Sequence, residues 1–330
     1  MKIVVTGGAG FIGSHFIRYL LKKYPDCQIL NIDRLTYAGN IHNLDDVSSD
    51  RRYCFVQEDI CHQKEMTTLL RDWDILVNFA AETHVDRSLV NPEAFIRTDV
   101  LGVFSLLRSA YQCKLRKFIQ ISTDEVYGSV SQGRLKETRL LSPSNPYAAS
   151  KAAADLLALS YWKSYGLPVC IVRSTNNFGP FQHPEKMIPL FITNALLNKK
   201  LPVYGEGKQI RQWLFVEDHC GAIDLILQKG ENGQVYHVSP ERGYRNLTVA
   251  RKILRLLGKP DSLMEFVKDR AGHDYRYSLN CQKIKALGWK PRHSFNSAFA
   301  KTVQWYKENT GWWQPIREGD FQEYYRQQYG

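Results

Sequence analysis

Cysteine is sparse in this 330-residue chain: seven residues, an odd number, scattered and with no Cys-x-x-Cys pair. That pattern argues against a disulfide framework and against a zinc site, and it points to a reducing, cytoplasmic setting with no bound metal. No apolar run approaches the ~18 residues that a membrane span needs. The opening KIVVT is cut off at once by TGGAG, unlike the core of a signal peptide. Long blocks of one charge are missing as well. The net charge is +11, yet no basic cluster longer than KLRK at 114–117 stands out. A nucleic-acid footprint would need a basic stripe interleaved with aromatics, and none is present. A solvated basic surface that helps steer an anionic substrate accounts for the charge. With 23% charged and 44% hydrophobic residues the composition is that of an ordinary globular protein. The length fits one elaborate domain or two smaller ones.

What is present is an alternation. KIVVT, QILNID, DILVNFAAE, RKFIQIS and PVCIVRS are apolar without period-two patterning, as expected of parallel strands covered on both faces. HFIRYLLKKY, DVLGVFSLLRSAYQC and YAASKAAADLLALSYWKSY carry helical periodicity between them. Strand and helix in alternation predict an α/β fold with a doubly wound parallel Rossmann sheet. From about residue 176 the texture changes: NNFGPFQHPEKMIP is rich in Pro, Asn and aromatics and reads as a loop that lines a site. VARKILRLLG and FAKTVQWYKENTG read as later helices, and the final fifteen residues carry no readable role. The expected division is a dinucleotide-binding domain over 1–175, to which about 212–236 returns. A smaller C-terminal α+β substrate domain would take 176–211 and 237–330.

TGGAGFIGSHF follows the first strand and opens the first helix. Gly7, Gly10 and Gly13 allow a tight turn, close approach to a pyrophosphate and packing of helix on sheet, with the helix N-terminus facing the negative charge. Asp33 ends the next strand, twenty residues past Gly13, where it would accept hydrogen bonds from ribose hydroxyls and repel a 2′-phosphate. That favours NAD over NADP, with Arg34 beside it as the one opposing feature. Asp59 and Ile60 end a third apolar segment, YCFVQEDI, at a depth suited to flanking adenine. Phe79, Ala80 and Ala81 end the fourth strand, where small residues admit a cofactor. Thr83, His84 and Ser88 follow at the same sheet end.

Two further patterns carry chemistry. Tyr147 and Lys151 stand one helical turn apart on one face. An ammonium so placed lowers a phenol's pKa from its usual ~10 and makes it a base for removing an alcohol proton. Asp124 and Glu125 lie side by side at the end of a buried strand, in KFIQISTDEVYG. An acid pair offers what oxidation alone does not need: one group to take a carbon-bound proton, another to protonate a leaving hydroxyl. Oxidation coupled to dehydration is the reading.

TGGAGFIGSH, DRLTYAGN, AAETHVDRS, STDEVYG, YAASK, NNFGPFQHPEK, RQWLFVEDH and DRAGHDYRY together resemble the dTDP-glucose 4,6-dehydratases, within the extended short-chain dehydrogenase/reductase family, from residue 1 to about 315. STDEVYG is the most specific part, since sugar-nucleotide epimerases of that fold usually carry a small residue where Asp124 stands. The resemblance implies bound NAD and a nucleotide-sugar substrate. It implies Tyr147 as the base for O4, Lys151 as its partner on the nicotinamide ribose, Thr123 hydrogen-bonded to O4, Glu125 as the C5 base and Asp124 as the C6 acid. It adds Phe11, Ile12, Leu35, Thr36, Thr98 and Asn177 to the cofactor side. For the sugar nucleotide it implies Asn176, the 186–191 stretch with Lys186 and Met187, Pro202, Tyr204, Arg211, Asn246, Arg270, His273 and Tyr277. A guanidinium such as Arg211 suits a diphosphate because it can bind two oxygens at once. A homodimer through a four-helix bundle, with 100–113 and 150–165 contributing, is also implied. Three departures stand out: Arg97-Thr98-Asp99 where the family usually has Glu-Thr-Asn, Tyr275-Arg276-Tyr277 where it has Arg-Arg-Tyr, and VYHVSPERGYRN where a glycine-containing VYNIG is usual.

Rival readings are a dehydratase acting on a UDP-sugar, a 4-epimerase, a sugar-nucleotide decarboxylase, and a non-catalytic NAD-sensing or nucleic-acid-binding Rossmann module. Epimerisation gains nothing from Asp124–Glu125, decarboxylation needs a pocket for a uronate, and a non-catalytic module has no use for Tyr147 and Lys151.

Overall fold

The computed structural model of the chain describes residues 1–269 and 274–318, together with Phe321 and Tyr325. Six strands, β1 (Lys2–Thr6), β2 (Gln28–Asp33), β3 (Tyr53–Gln57), β4 (Ile75–Asn78), β5 (Lys117–Thr123) and β6 (Val169–Ser174), join the Gln234–Val238 strand in one sheet. Across the sheet the order is Gln234–Val238, β6, β5, β4, β1, β2, β3, and every pairing is parallel. This is the doubly wound α/β arrangement expected. The apolar runs of β1, β2, β4, β5 and β6 are continuous because these strands are largely buried on both faces, while the edge strand β3 stays partly exposed. Ile3 and Val5 pack with Phe16 and Ile17 on one side, while Val4 packs with Leu30, Leu76 and Leu106 on the other.

The polar exceptions inside the sheet pair with one another. Thr6 Oγ1 donates to Asn78 Oδ1 at 2.6 Å and Asn78 Nδ2 donates to Gln120 Oε1 at 3.0 Å, so three buried side chains satisfy each other across three strands. The strand order reverses between β1 and β4. A crevice opens outside the carboxyl ends of strands at such a point.

Helices α1 (Phe11–Lys23), α2 (Gln63–Leu69), α3 (Val85–Val90), α4 (Pro92–Phe95), α5 (Val103–Gln112) and α6 (Pro146–Tyr165) cover the first half of the chain, and a π-helical segment, Ile96–Gly102, leads into α5. The start of α6 is set locally. Asn145 accepts from Ala148 N at 2.9 Å, Pro146 occupies the first turn, and Gly166 closes the helix in the left-handed conformation. The alanines of α6 bring it close to the sheet, with Ala152 in one core and Ala154 and Ala158 in the other.

Beyond β6 three short ribbons form over the carboxyl ends of the main strands. Asn177–Phe178 pairs with Leu214–Phe215, Ile210–Gln212 with Gly243–Arg245, and Leu201–Tyr204 with Met264–Val267. The NNFGPFQHPEK stretch is mostly irregular, as read, up to the Met187–Leu196 helix. The two later helical patterns are the Asn246–Leu256 and Phe295–Glu308 helices.

Candidate active site

One cavity of about 400 Å³ runs along the carboxyl ends of the strands and collects most of the residues singled out above. Its floor on the α1 side is a glycine cradle. Gly7 has φ +70, and a Cβ there would lie 2.5 Å from Ala80 N; a Cβ on Gly13 would lie 2.4 Å from the Gly7 carbonyl oxygen. Side chains are therefore excluded at both positions, and backbone alone faces the crevice. Gly10 caps α1 without a side chain, so the first helical N–H groups are left for a ligand. This cradle fits a dinucleotide's pyrophosphate.

Asp33 closes the loop from the other side. Its Oδ2 accepts from Ala9 N at 2.9 Å and its Oδ1 from Leu35 N at 2.8 Å, and burial raises its pKa. The carboxylate thus holds the glycine turn against the end of β2 besides facing the cavity. Arg34 does not stand free as a phosphate clamp. It lies 3.3 Å from Asp59 Oδ2, an oxygen that Arg97 also reaches at 3.3 Å. Phe11, Ile12, Thr36, Asp59, Ile60, Phe79, Ala80, Ala81, Thr98 and Asn177 all line the cavity, but Leu35 does not; it contributes its backbone N–H to Asp33.

At the end of β5 the chain turns into a short 3-10 segment, Asp124–Tyr127. Thr123 Oγ1 accepts from Glu125 N at 3.2 Å, and Gly128, at φ +68, ends the turn. Thr123, Glu125, Tyr147 and Lys151 share the cavity wall, whereas Asp124 sits beneath it, 1% exposed. Burial, then the neighbouring Glu125 carboxylate, push the Asp124 pKa up to about 7. A carboxyl so placed keeps a proton near neutrality, as a general acid must.

The Tyr–Lys pair differs from its expected form. Lys151 Nζ donates to the Ile121 carbonyl at 2.8 Å. Burial, then Glu125 and Asp99, raise the Tyr147 phenol well above its ordinary pKa, against a lowering hydrogen bond with Thr123. Burial and the neighbouring carboxylates thus disfavour the phenolate.

On the far side, Arg211 is 5% exposed and, among the described residues, donates to three backbone carbonyls: Ile210 at 2.9 Å, Tyr275 at 3.3 Å and Asp274 at 2.8 Å. Its guanidinium lies 4.6 Å from the centre of the Tyr277 ring. Carbonyls fix its direction without cancelling its charge, which suits recognition of a diphosphate. Tyr277 therefore supports Arg211 from below and is not on the wall; its hydroxyl donates to Asp274 Oδ2 at 2.5 Å. Ser88 is likewise off the wall, donating to the Val85 carbonyl at 2.6 Å. Thr83, His84, Asn176, Lys186, Met187, Pro202, Tyr204 and Asn246 line the cavity, and Lys186 Nζ donates to the Thr83 carbonyl at 2.7 Å. Arg270 and His273 lie outside the described residues.

The sequence reading missed Glu82, Asp86, Thr175, Gln182, Glu185 and Trp213, which also line the cavity. Most of them sit inside the stretches AAETHVDRS, HPEK and RQW, so proximity to chosen residues was the available signal. Glu185 pairs with Arg87 at 2.8 Å. Although burial acts the other way, His84, His183, Lys186 and Arg87 hold its carboxyl down at about 2. No group of acidic, histidine or cysteine side chains among the described residues is arranged to hold a metal ion.

The family described as GDP-mannose 4,6 dehydratase matches residues 4–302. A dTDP-glucose 4,6-dehydratase of Streptomyces niveus is 46% identical over 325 residues, spanning 97% of each chain. The low-salt glycan biosynthesis protein Agl12 of Haloferax volcanii is 47% identical over 306 residues, 93% of this chain and 98% of that one. Among solved structures, the dTDP-glucose 4,6-dehydratase DesIV of Streptomyces venezuelae, with NAD and TYD bound, superposes with a TM-score of 0.94 at 47% identity, covering 96% of this chain and 100% of DesIV.

Proposed function

We infer that this chain, which belongs to the nucleotide-sugar 4,6-dehydratase family, is a dTDP-glucose 4,6-dehydratase, converting its substrate to dTDP-4-dehydro-6-deoxy-glucose. The observation that carries this reading is the adjacent acid pair directly after Thr123, with Glu125 on the cavity wall shared by Tyr147 and Lys151 and Asp124 buried behind it, both close enough to act on the Tyr147 phenol. NAD, held by the Gly7–Gly13 cradle and Asp33, supplies when bound a hydride acceptor for C4 and a donor for C6.

The side chains do the proton work. Tyr147 takes the O4 proton, with Thr123 hydrogen-bonded to the same oxygen and Lys151 favouring the phenolate. Oxidation at C4 leaves a ketone, which makes the C5–H acidic. Glu125 removes the C5 proton, Asp124 donates its proton to the C6 hydroxyl, and water leaves. Glu125 exchanges the proton it took with solvent and then delivers one to C5. Arg211, with Asn176, Lys186 and Asn246, holds the nucleotide end, so that binding energy from the diphosphate orients the hexose. The O4 proton left on Tyr147 matches the proton that Asp124 gives to the departing water, both groups being reset through solvent, and the net change is loss of one water.

The thymidine preference is part of the proposal, as is a homodimer. The dimer is supported by exposed apolar side chains at Leu101 at the end of the π-helical segment, Phe104 and Tyr111 on α5, and Leu156 and Tyr165 on α6. No helix among the described residues is long and apolar enough to cross a membrane. A cytoplasmic location is supported by the seven unpaired cysteines. Division into an NAD-binding domain of 1–175 with about 212–236, and a substrate domain of 176–211 and 237–330, fits the entry of Gln234–Val238 into the main sheet. Incubation of the protein with dTDP-glucose, UDP-glucose and GDP-mannose, followed by mass measurement, tests the function. Loss of one water from dTDP-glucose is expected; unchanged mass with conversion to a galactose would contradict it.

A further inference from the structure

Asp99 is fully buried, in the π-helical segment that leads into α5, and the chemistry described above does not use it. Its Oδ1 accepts from Glu82 N at 2.9 Å and its Oδ2 from Ser150 Oγ at 2.7 Å. Ser150 is the residue before Lys151, and its hydroxyl is also 2.8 Å from the Tyr147 carbonyl. The carboxyl group therefore stitches the loop after β4 to the turn of α6 that carries both Tyr147 and Lys151. We propose that Asp99 is a positioning residue for the Tyr147–Lys151 pair, and that its own ionisation sets how readily Tyr147 gives up its proton.

The hydrogen bonds allow either charge state. Ionised, the carboxylate accepts from both donors. Protonated, it can donate to Ser150 Oγ while the Ser150 hydroxyl turns to the Tyr147 carbonyl. An asparagine could do the same, so Asp99→Asn removes the charge and keeps the geometry.

The charges around it are few. Lys151 and Tyr147 face it from α6 and Glu82 from the loop after β4, while Glu125 and Asp124 act on the same phenol from the end of β5. The loop after β3 brings Asp59 and Cys61 to neighbouring Arg97, where Arg34 also meets Asp59. α4 and α5 add only the exposed Glu93 and Arg108. Burial raises the Asp99 pKa to about 7, opposed by Lys151. Above that pH a second negative charge stands by the phenol and resists its ionisation, so the two groups titrate as a coupled pair.

This rests on the dehydratase reading, and the test separates the two. Because Asp124 titrates in the same range, the quantity to read is the ratio of kcat/KM on dTDP-glucose for Asp99→Asn over wild type, in which the Asp124 contribution cancels. The ratio is expected to climb by roughly tenfold as pH rises through about 7 and then level, since a nearby like charge shifts a pKa by about one unit or more. Ser150→Ala, which loses a hydrogen bond but keeps the charge, should lower kcat at every pH with a flat ratio. A flat ratio for Asp99→Asn would reduce residue 99 to packing and overturn the proposal. Thermal unfolding gives a readout that needs no turnover. The raised carboxyl stabilises wild type fully below its unfolded pKa of ~3.8 and loses that contribution as pH climbs through about 7. The wild-type Tm should therefore fall against that of Asp99→Asn from about pH 4 to 7. A constant difference contradicts the proposal even if dTDP-glucose is not the substrate.

Discussion

Lys151 Nζ donates to the Ile121 carbonyl at 2.8 Å, anchoring the ammonium on β5 beside the phenol of Tyr147. Lysine is thus held by the strand that ends in Thr123 and leads directly into Asp124 and Glu125, so one strand and the turn after it organise base, acid and charge together. Tyr147→Phe removes the oxygen that takes the O4 proton. Turnover of dTDP-glucose should fall by roughly 10²–10⁴, the range for losing a general base. Stabilisation by dTDP, measured as a thermal shift, should survive. Tyr127 cannot replace it, because its hydroxyl is buried 2.7 Å from His237 Nε2 and 2.6 Å from Arg173 Nη1. A wild-type rate for the variant would remove Tyr147 from the mechanism.

Denaturing the purified protein should release NAD at near stoichiometric amount, because the proposed cycle returns the cofactor to its starting state. The sequence left Arg34 as a possible contact for a 2′-phosphate, but its charge is shared with Asp59. Recovery mainly of NADP would refute the role given to Asp33.

Arg173 on β6 pairs with Asp155 of α6 at 2.8 Å, both nearly fully buried, and Ser122 also donates to Asp155 Oδ2 at 2.9 Å. Arg173→Met strands the Asp155 charge in the core and should cost about 3–5 kcal/mol in urea unfolding. A loss below about 1 kcal/mol would mean that Asp155 takes up a proton or finds another partner.

The doubly wound sheet was legible because its inner strands are buried on both faces and so read as unbroken apolar runs between helical patterns; KIVVT and QILNID became β1 and β2 as read. The glycine cradle was legible because Gly7 and Gly13 have no alternative residue there. What stayed hidden depends on contacts distant in sequence. Nothing in YAASK says that Glu125 and Asp99 raise the Tyr147 phenol, since both come from other strands and helices. Nor could spacing reveal that Tyr277 would lie under Arg211 instead of on the wall. The Asp99 departure was visible as a substitution, but its bonds to Glu82 and Ser150 exist only in the folded chain.

Asp124 and Glu125 separate elimination from oxidation. Glu125→Gln cannot accept the C5 proton, and Asp124→Asn is a poor acid toward the leaving hydroxyl. Both variants should still oxidise C4 of dTDP-glucose, seen as reduced-nicotinamide absorbance, while the 4-keto-6-deoxy product forms slowly. Because an acid acts while protonated, wild-type water loss should decline as pH rises through the Asp124 pKa of about 7, and this decline should be absent in Asp124→Asn. Equal impairment of both steps in either variant would contradict the division of roles.

The most direct test of dehydration follows the hydrogen at C4. Wild-type protein given dTDP-glucose deuterated at C4 should yield product with deuterium at C6 and solvent hydrogen at C5, with loss of one water. Deuterium found back at C4 of a galactose product would identify an epimerase and contradict the account.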